Sequence, residues 1–199
     1  LRSSFPKPDT TESLAILLYL VFVFILGFIL LVPLLRRTRR VMQHTIILLS
    51  SSILFTFNLF LVERVALIPE AIPVSLGLST AFLSMMVSIL ITERIGVILA
   101  LLLSLGIFAV PSVGIHAFLF SFFAGVTGIY AIENSEKRID IVTGTIKLTG
   151  VVLPLLFVIG LLQEEGPSWF LSAAGFGILH SFGTGGLILA LLPALEHVL

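Results

Sequence analysis

Cysteine is absent from all 199 residues. No disulfide can form, no thiolate can hold a metal, and the redox compartment is not legible from the chain. Charge is scarce as well: 11% of residues are charged, and 11 Lys+Arg balance 11 Asp+Glu to a formal net charge of zero. A neutral chain offers no electrostatic footprint for nucleic acid. Acids are almost missing from the apolar stretches, which argues against an ion-coupled pump. Hydrolase signatures are missing too. The four histidines are followed by Thr45, Ala117, Ser181 and Val198, so the chain has no His-Asp dipeptide, no H-E-x-x-H and no G-x-S-x-G. No catalytic residue, metal ligand or cofactor site is expected in this chain.

What is present is hydrocarbon. Apolar residues make up 58% of the chain and mean hydropathy is +1.21, so a lipid bilayer is the expected solvent and partner. A segment inside a bilayer must satisfy its own backbone hydrogen bonds, which leaves helices or a closed barrel. The apolar runs are continuous, without the period-2 alternation of barrel strands, and helices are expected. The expected class is all-α: a polytopic seven-transmembrane helix bundle with spans Ser13–Leu35, Val41–Val62, Pro73–Ile91, Ile95–Val110, Val113–Ile132, Ile141–Leu162 and Ser168–Leu195. Seven spans of roughly 20 residues take about 140 residues, leaving short loops and no room for a soluble catalytic domain. The third and fourth runs are separated only by Glu93-Arg94, where a tight turn is expected, and Pro111-Ser112 marks the far end of the fourth.

Basic residues in short loops set orientation. With the N-terminus outside, the inner side holds Arg36, Arg37, Arg39, Arg40, Arg94, Lys137 and Arg138, and the outer side Arg2, Lys7 and Arg64. The imbalance predicts an external N-terminus and a cytoplasmic C-terminus in a cell membrane. The expected organisation is an extracellular stub at 1–12, the bundle at 13–196 and the start of a linker at 197–199. The chain begins at Leu1 and stops just after an apolar run, so a longer parent protein is expected.

Helices in lipid associate by close packing and polar contacts. Small residues recur every fourth position at Thr80, Ser84, Ser88 and Thr92, at Ala117, Ser121 and Gly125, and at Ala173, Gly177, Ser181 and Gly185. Each set lies on one helix face. Packing is the ordinary reading; a hydroxyl-lined solute path is the rival. Pro33, Pro154 and Pro193 can kink their helices, and Gly183-Thr184-Gly185-Gly186 is a second soft point in the seventh span.

His180 lies about eleven residues past Trp169, roughly 16 Å along the helix and near mid-bilayer. An ionisable group at that depth is a functional candidate; a neutral imidazole bonded to a neighbouring helix is the plainer reading. Phe176-x-x-x-His180 matches one element of intramembrane prenyl-protein proteases, but Trp169 stands where their E-E-x-x-x-R motif needs Arg. Lys147, about six residues into the sixth span, can snorkel to the inner interface or pair with Glu133 or Glu93. Asn58 is expected to bond across helices. His116, near the outer end of the fifth span, is a candidate sensor of external pH or ligand, and His44 is expected at the inner interface in contact with water.

The Arg36–Arg40 cluster after the first span, Ile68-Pro69-Glu70-Ala71-Ile72-Pro73 opening the third, and Gly185-Gly186-Leu187-Ile188-Leu189-Ala190-Leu191-Leu192-Pro193-Ala194-Leu195-Glu196 closing the seventh together resemble the bacterial seven-transmembrane HD family. The last segment is similar to that family's glycine-rich stretch ending in L-P-x-L-E. A G-protein-coupled receptor fits less well, since the Asp/Glu-Arg-Tyr and Asn-Pro-x-x-Tyr motifs are missing. The resemblance implies a parent with an extracellular domain, this membrane region, and a cytoplasmic HD phosphodiesterase acting on a cyclic dinucleotide of the cyclic di-AMP type. Two metal ions would sit in that HD domain, with none in this chain. The chain itself would anchor the enzyme and relay an outside signal or small ligand, with a homodimer as one arrangement suited to relay. Its seventh helix, kinkable at Pro193, would be the output element. The rivals are a small-solute transporter or channel with a wet site at His180, Ser84 and Ser88, and an intramembrane enzyme using His180.

Overall fold

The computed structural model describes residues 10–35, 41–65, 71–107, 114–132 and 138–198, with backbone only at 10–13, 41, 57–65, 71–78, 138, 192 and 194–198. The basic cluster Arg36–Arg40, Ile68–Glu70, Pro111-Ser112, Glu133 and Lys137 lie outside the described residues, as does the side chain of Asn58.

Every described segment is helical. The elements are α1 (Thr10–Leu35), α2 (Val41–Val65), α3 (Ala71–Leu90), α4 (Glu93–Gly106), α5 (Ile115–Ala131), α6 (Arg138–Leu162) and α7 (Pro167–Val198). No helix end departs from its expected span by more than four residues. Among the described residues three helices have the length and composition to cross a bilayer: Leu14–Leu35, Ile139–Leu162 and Pro167–Leu191. α2, α3 and α5 contribute shorter apolar stretches, Met42–Thr56, Ser79–Leu90 and Ile115–Ala131. α4, with 14 residues, is only about 21 Å long.

The turn expected at Glu93 is there. Ile91 N–H donates to Val87 O at 2.9 Å and closes α3. Thr92 then adopts extended backbone, and its Oγ1 accepts from Ile95 N–H at 3.4 Å as the N-cap of α4, with Glu93 in the first turn. An acid there complements the helix dipole. The α6–α7 connection is a Schellman ending: Glu165 N–H donates to Gly160 O at 3.0 Å and Glu164 N–H to Leu161 O at 3.3 Å. Glu164 takes the left-handed position, φ 57°, that normally favours glycine.

Side-chain placement inverts the soluble-protein pattern. Large apolar groups face outward, such as Phe24 at 76% and Leu171 at 80% exposure, while Thr80, Ser84, Ser104, Ser121, Ser181 and Thr184 are fully buried. In water that arrangement would be unstable. In lipid it is the favourable one, because small hydroxyl residues let backbones approach and alkyl groups meet acyl chains.

Glycines mark the tightest crossings. A Cβ at Gly96 would stand 2.9 Å from Ser84 O; at Gly128, 2.6 Å from Met85 Sδ; at Gly125, 3.0 Å from Ala100 Cβ; at Gly144, 2.9 Å from Ala131 O. These contacts run α4 against α3, α3 beside α5, α5 against α4, and α5 against α6. Residues 96 and 100 meet 129 and 125 respectively, so α4 and α5 are antiparallel, whereas Ser84 and Met85 meet Gly125 and Gly128, so α3 and α5 run parallel. α1 is peripheral. Only 6% of its apolar window is buried, against 33% for α6 and α7. It rests on α4 through Gly27 against Leu102 and a 2.7 Å hydrogen bond from Tyr19 Oη to Leu105 O.

Candidate functional site

Helices α3 and α5 bring their small-residue stripes together in the interior, while the stripe of α7 packs on α6. Ser84 Oγ donates to Thr80 O at 2.7 Å and lies 3.5 Å from Gly125 O on α5. On α7, Ser181 Oγ donates to Gly177 O at 3.0 Å and Thr184 Oγ1 to His180 O at 2.8 Å. Each hydroxyl thus satisfies itself on its own helix one turn back, the usual economy of Ser and Thr in lipid. Ser104 and Ser121 differ: both are fully buried, and neither hydroxyl has a hydrogen-bond partner among the described residues. Each stands one turn from the Ala100–Gly125 contact, in the same direction along the bundle. They therefore share a level on the antiparallel α4–α5 pair, a juxtaposition set by the register of the two helices.

His180 is 1% exposed. Its ring meets Phe120 of α5 edge-on, centroids 5.4 Å apart at 69°. This contact ties α7 to α5 and packs the imidazole in the interior. Phe120, fully buried, was not singled out in sequence; Leu, Phe and Ile crowd every helix, and nothing local separates it from Phe118 or Phe122.

The remaining candidates disperse. Gly177 accommodates Leu156 of α6, whose Cδ1 would lie 2.8 Å from an added Cβ. Gly185 is pressed against Thr145 Oγ1 of α6, itself a donor to Ile141 O at 2.9 Å. The Gly183–Gly186 stretch is therefore a packed contact at Gly185, not the loose point its composition suggests. Pro193 lies inside α7 and is half-buried. His116 is half-buried, with Nδ1 enclosed and without a hydrogen-bond partner among the described residues. Lys147 is exposed on α6. His44, expected in contact with water, is 7% exposed; α2 turns that side of its first turns toward the bundle. Among the described residues no three His, Asp or Glu side chains gather where a metal could bind.

An all-helical bundle with hydroxyls inside and alkyl groups outside is a membrane architecture common to many functions, so the family decides. The family model described as "7TM receptor with intracellular HD hydrolase" matches residues 13–199. The chain belongs to that family. The match begins where the first apolar run begins and covers all seven helices apart from the first three residues of α1. No curated protein and no solved structure gives a significant match. As a 7TM-HD family member the chain is a multi-pass membrane protein of receptor type, from a family named together with an intracellular HD hydrolase.

Proposed function

We propose that this chain is the membrane anchor and signal-transducing region of an HD-type cyclic-dinucleotide phosphodiesterase, cyclic di-AMP being the expected substrate. The observation that carries the reading is the family match across 13–199, a receptor region named together with an intracellular hydrolase. In this reading the bundle crosses a bacterial cell membrane seven times, with its N-terminus outside and its C-terminus in the cytoplasm. The antiparallel α3–α4, α4–α5 and α6–α7 pairs are those that helices crossing a membrane in turn would form. The chemistry belongs to the HD domain, where a metal pair would activate water.

The relay must be mechanical. An outer ligand acts only by binding two bundle arrangements unequally. α7 is the suited output element: it packs on α6 and α3, and its C-terminal end leads toward the enzyme. Its register on α6 is fixed by Gly185 against Thr145 and Gly177 against Leu156. In the full-length enzyme Gly185→Leu should push α7 off Thr145 and change basal cyclic di-AMP hydrolysis severalfold. Unchanged hydrolysis, with the protein folded and in the membrane, rejects the relay role. The sidedness has its own test. The chain has no cysteine, so single cysteines at Arg39 and Glu164 report cleanly. An impermeant thiol reagent should label position 164 and spare 39 in intact cells; labelling of 39 overturns the orientation.

A further inference from the structure

We infer that the lipid-facing flank of α6 around Lys147 binds the headgroup of an anionic phospholipid. The inference needs only that α6 cross a bilayer, and stands or falls apart from the phosphodiesterase reading.

α6 turns Ile141, Thr145, Leu148, Val152, Leu156 and Ile159 into the bundle. Lys147 is on the other side, exposed together with Thr143, Ile146, Gly150 and Val151. The cation is thus presented outward, not to the protein interior. No ion pair or hydrogen bond reaches it among the described residues. Asp140, seven residues earlier on the same face, is engaged elsewhere. An ammonium on the lipid side of a helix must find an anion or water at the interface. Lys147 lies nine residues past the start of α6, roughly 13 Å along the axis. Its side chain leans toward the helix N-terminus, which points the ammonium at the nearer headgroup layer. The anions in that layer are lipid phosphates. A zwitterionic lipid cancels its phosphate with its own cation, while an anionic lipid does not, so charge complementarity selects the latter.

The surface beside Lys147 has room for that lipid. Gly150 is one turn outward on the same flank, and a Cβ there would meet nothing within 4 Å. The glycines at the helix crossings have close neighbours that explain them; Gly150, like Gly175 and Gly186 of α7, has none among the described residues. It leaves bare backbone next to the lysine, where a lipid's glycerol region can lie close. Pro154, exposed inside α6, lacks the N–H that would otherwise serve the Gly150 carbonyl, so the bare backbone is also polar. Cation, slot and carbonyl together make a phospholipid site on an otherwise alkyl flank.

The purified chain, titrated with phosphatidylglycerol and with phosphatidylcholine and read by native mass spectrometry, should retain the anionic lipid about fivefold more. Lys147→Gln should remove that preference and Lys147→Arg should keep it. Arg94→Gln, at the exposed α3–α4 turn, should keep it as well. No preference in the wild type, a preference surviving Lys147→Gln, or equal loss in Arg94→Gln refutes the site. A dimer that dissociates in Lys147→Gln also refutes it, because a second copy would then cover the lysine. Should Lys147→Gln misfold, a photoactivatable phosphatidylglycerol on the wild type decides: adducts on α6 around position 147 support the site, and adducts elsewhere only refute it.

Discussion

Replacing Gly96 by alanine sets two effects of known sign against each other. Alanine favours a helix interior over glycine by up to about 1 kcal/mol. Against that, the new methyl would stand 2.9 Å from Ser84 O, 3.0 Å from Ser88 Cβ and 3.2 Å from Ile129 Cδ1. The isoleucine tip can move. The Ser84 carbonyl cannot, because it belongs to the α3 backbone, and α3 is also held by Gly125 and Gly128 of α5. Overpacking of this kind costs about 1–3 kcal/mol, and a backbone contact belongs in the upper half of that range. The net effect is a loss of roughly 1–2 kcal/mol. Gly175→Ala is the matched control. That glycine is exposed on α7 with nothing within 4 Å of an added Cβ, so only the propensity gain of up to about 1 kcal/mol remains. Thermal unfolding of detergent-solubilised protein, followed by helical circular dichroism, should separate the two variants by roughly 5–10 °C, at about 2–4 °C per kcal/mol for a chain of this size. If Gly96→Ala melts at or above wild type, or Gly175→Ala is the more damaging change, the account of α3, α4 and α5 as a mutually close-packed trio is wrong.

Glu164→Gly should stabilise by about 1 kcal/mol, because a left-handed residue at the Schellman position loses its Cβ clash; a lower melting temperature would show that the carboxylate has a role the backbone does not reveal. Tyr19→Phe should cost about 1 kcal/mol through the lost bond to Leu105 O and lower the melting point by a few degrees. Because α1 has little else to hold it, the same variant should raise proteolytic release of α1 from the bundle, and unchanged release would mean that Gly27 against Leu102 suffices as an anchor.

Much of the architecture was legible in the residues. Continuous apolar runs can only be helices in lipid, and Glu93-Arg94 with Thr92 ahead of them reads as a stop and a cap. The small-residue stripes were readable because a backbone can approach closely only where side chains are small. All of Ala117, Ser121, Gly125, Ala173, Gly177, Ser181 and Gly185 are buried. Position along a helix follows from counting residues, which puts His180 well inside α7, eleven residues past Trp169.

Partnership could not be read the same way. Which stripe meets which depends on how seven similar helices are ordered, and hydropathy is nearly uniform around α2, α6 and α7. Only the assembled bundle puts Phe120 against His180, sets Thr145 against Gly185, levels Ser104 with Ser121 and leaves α1 at the edge. It also decides that Lys147 points away from the bundle and that His44 is buried, since a helix carries no sequence mark of its outward side when both sides are apolar. Sequence thus fixed what each helix is and where along it the polar groups fall, because those follow from local chemistry. Tertiary structure alone decided which groups meet, because that depends on packing between segments far apart in the chain.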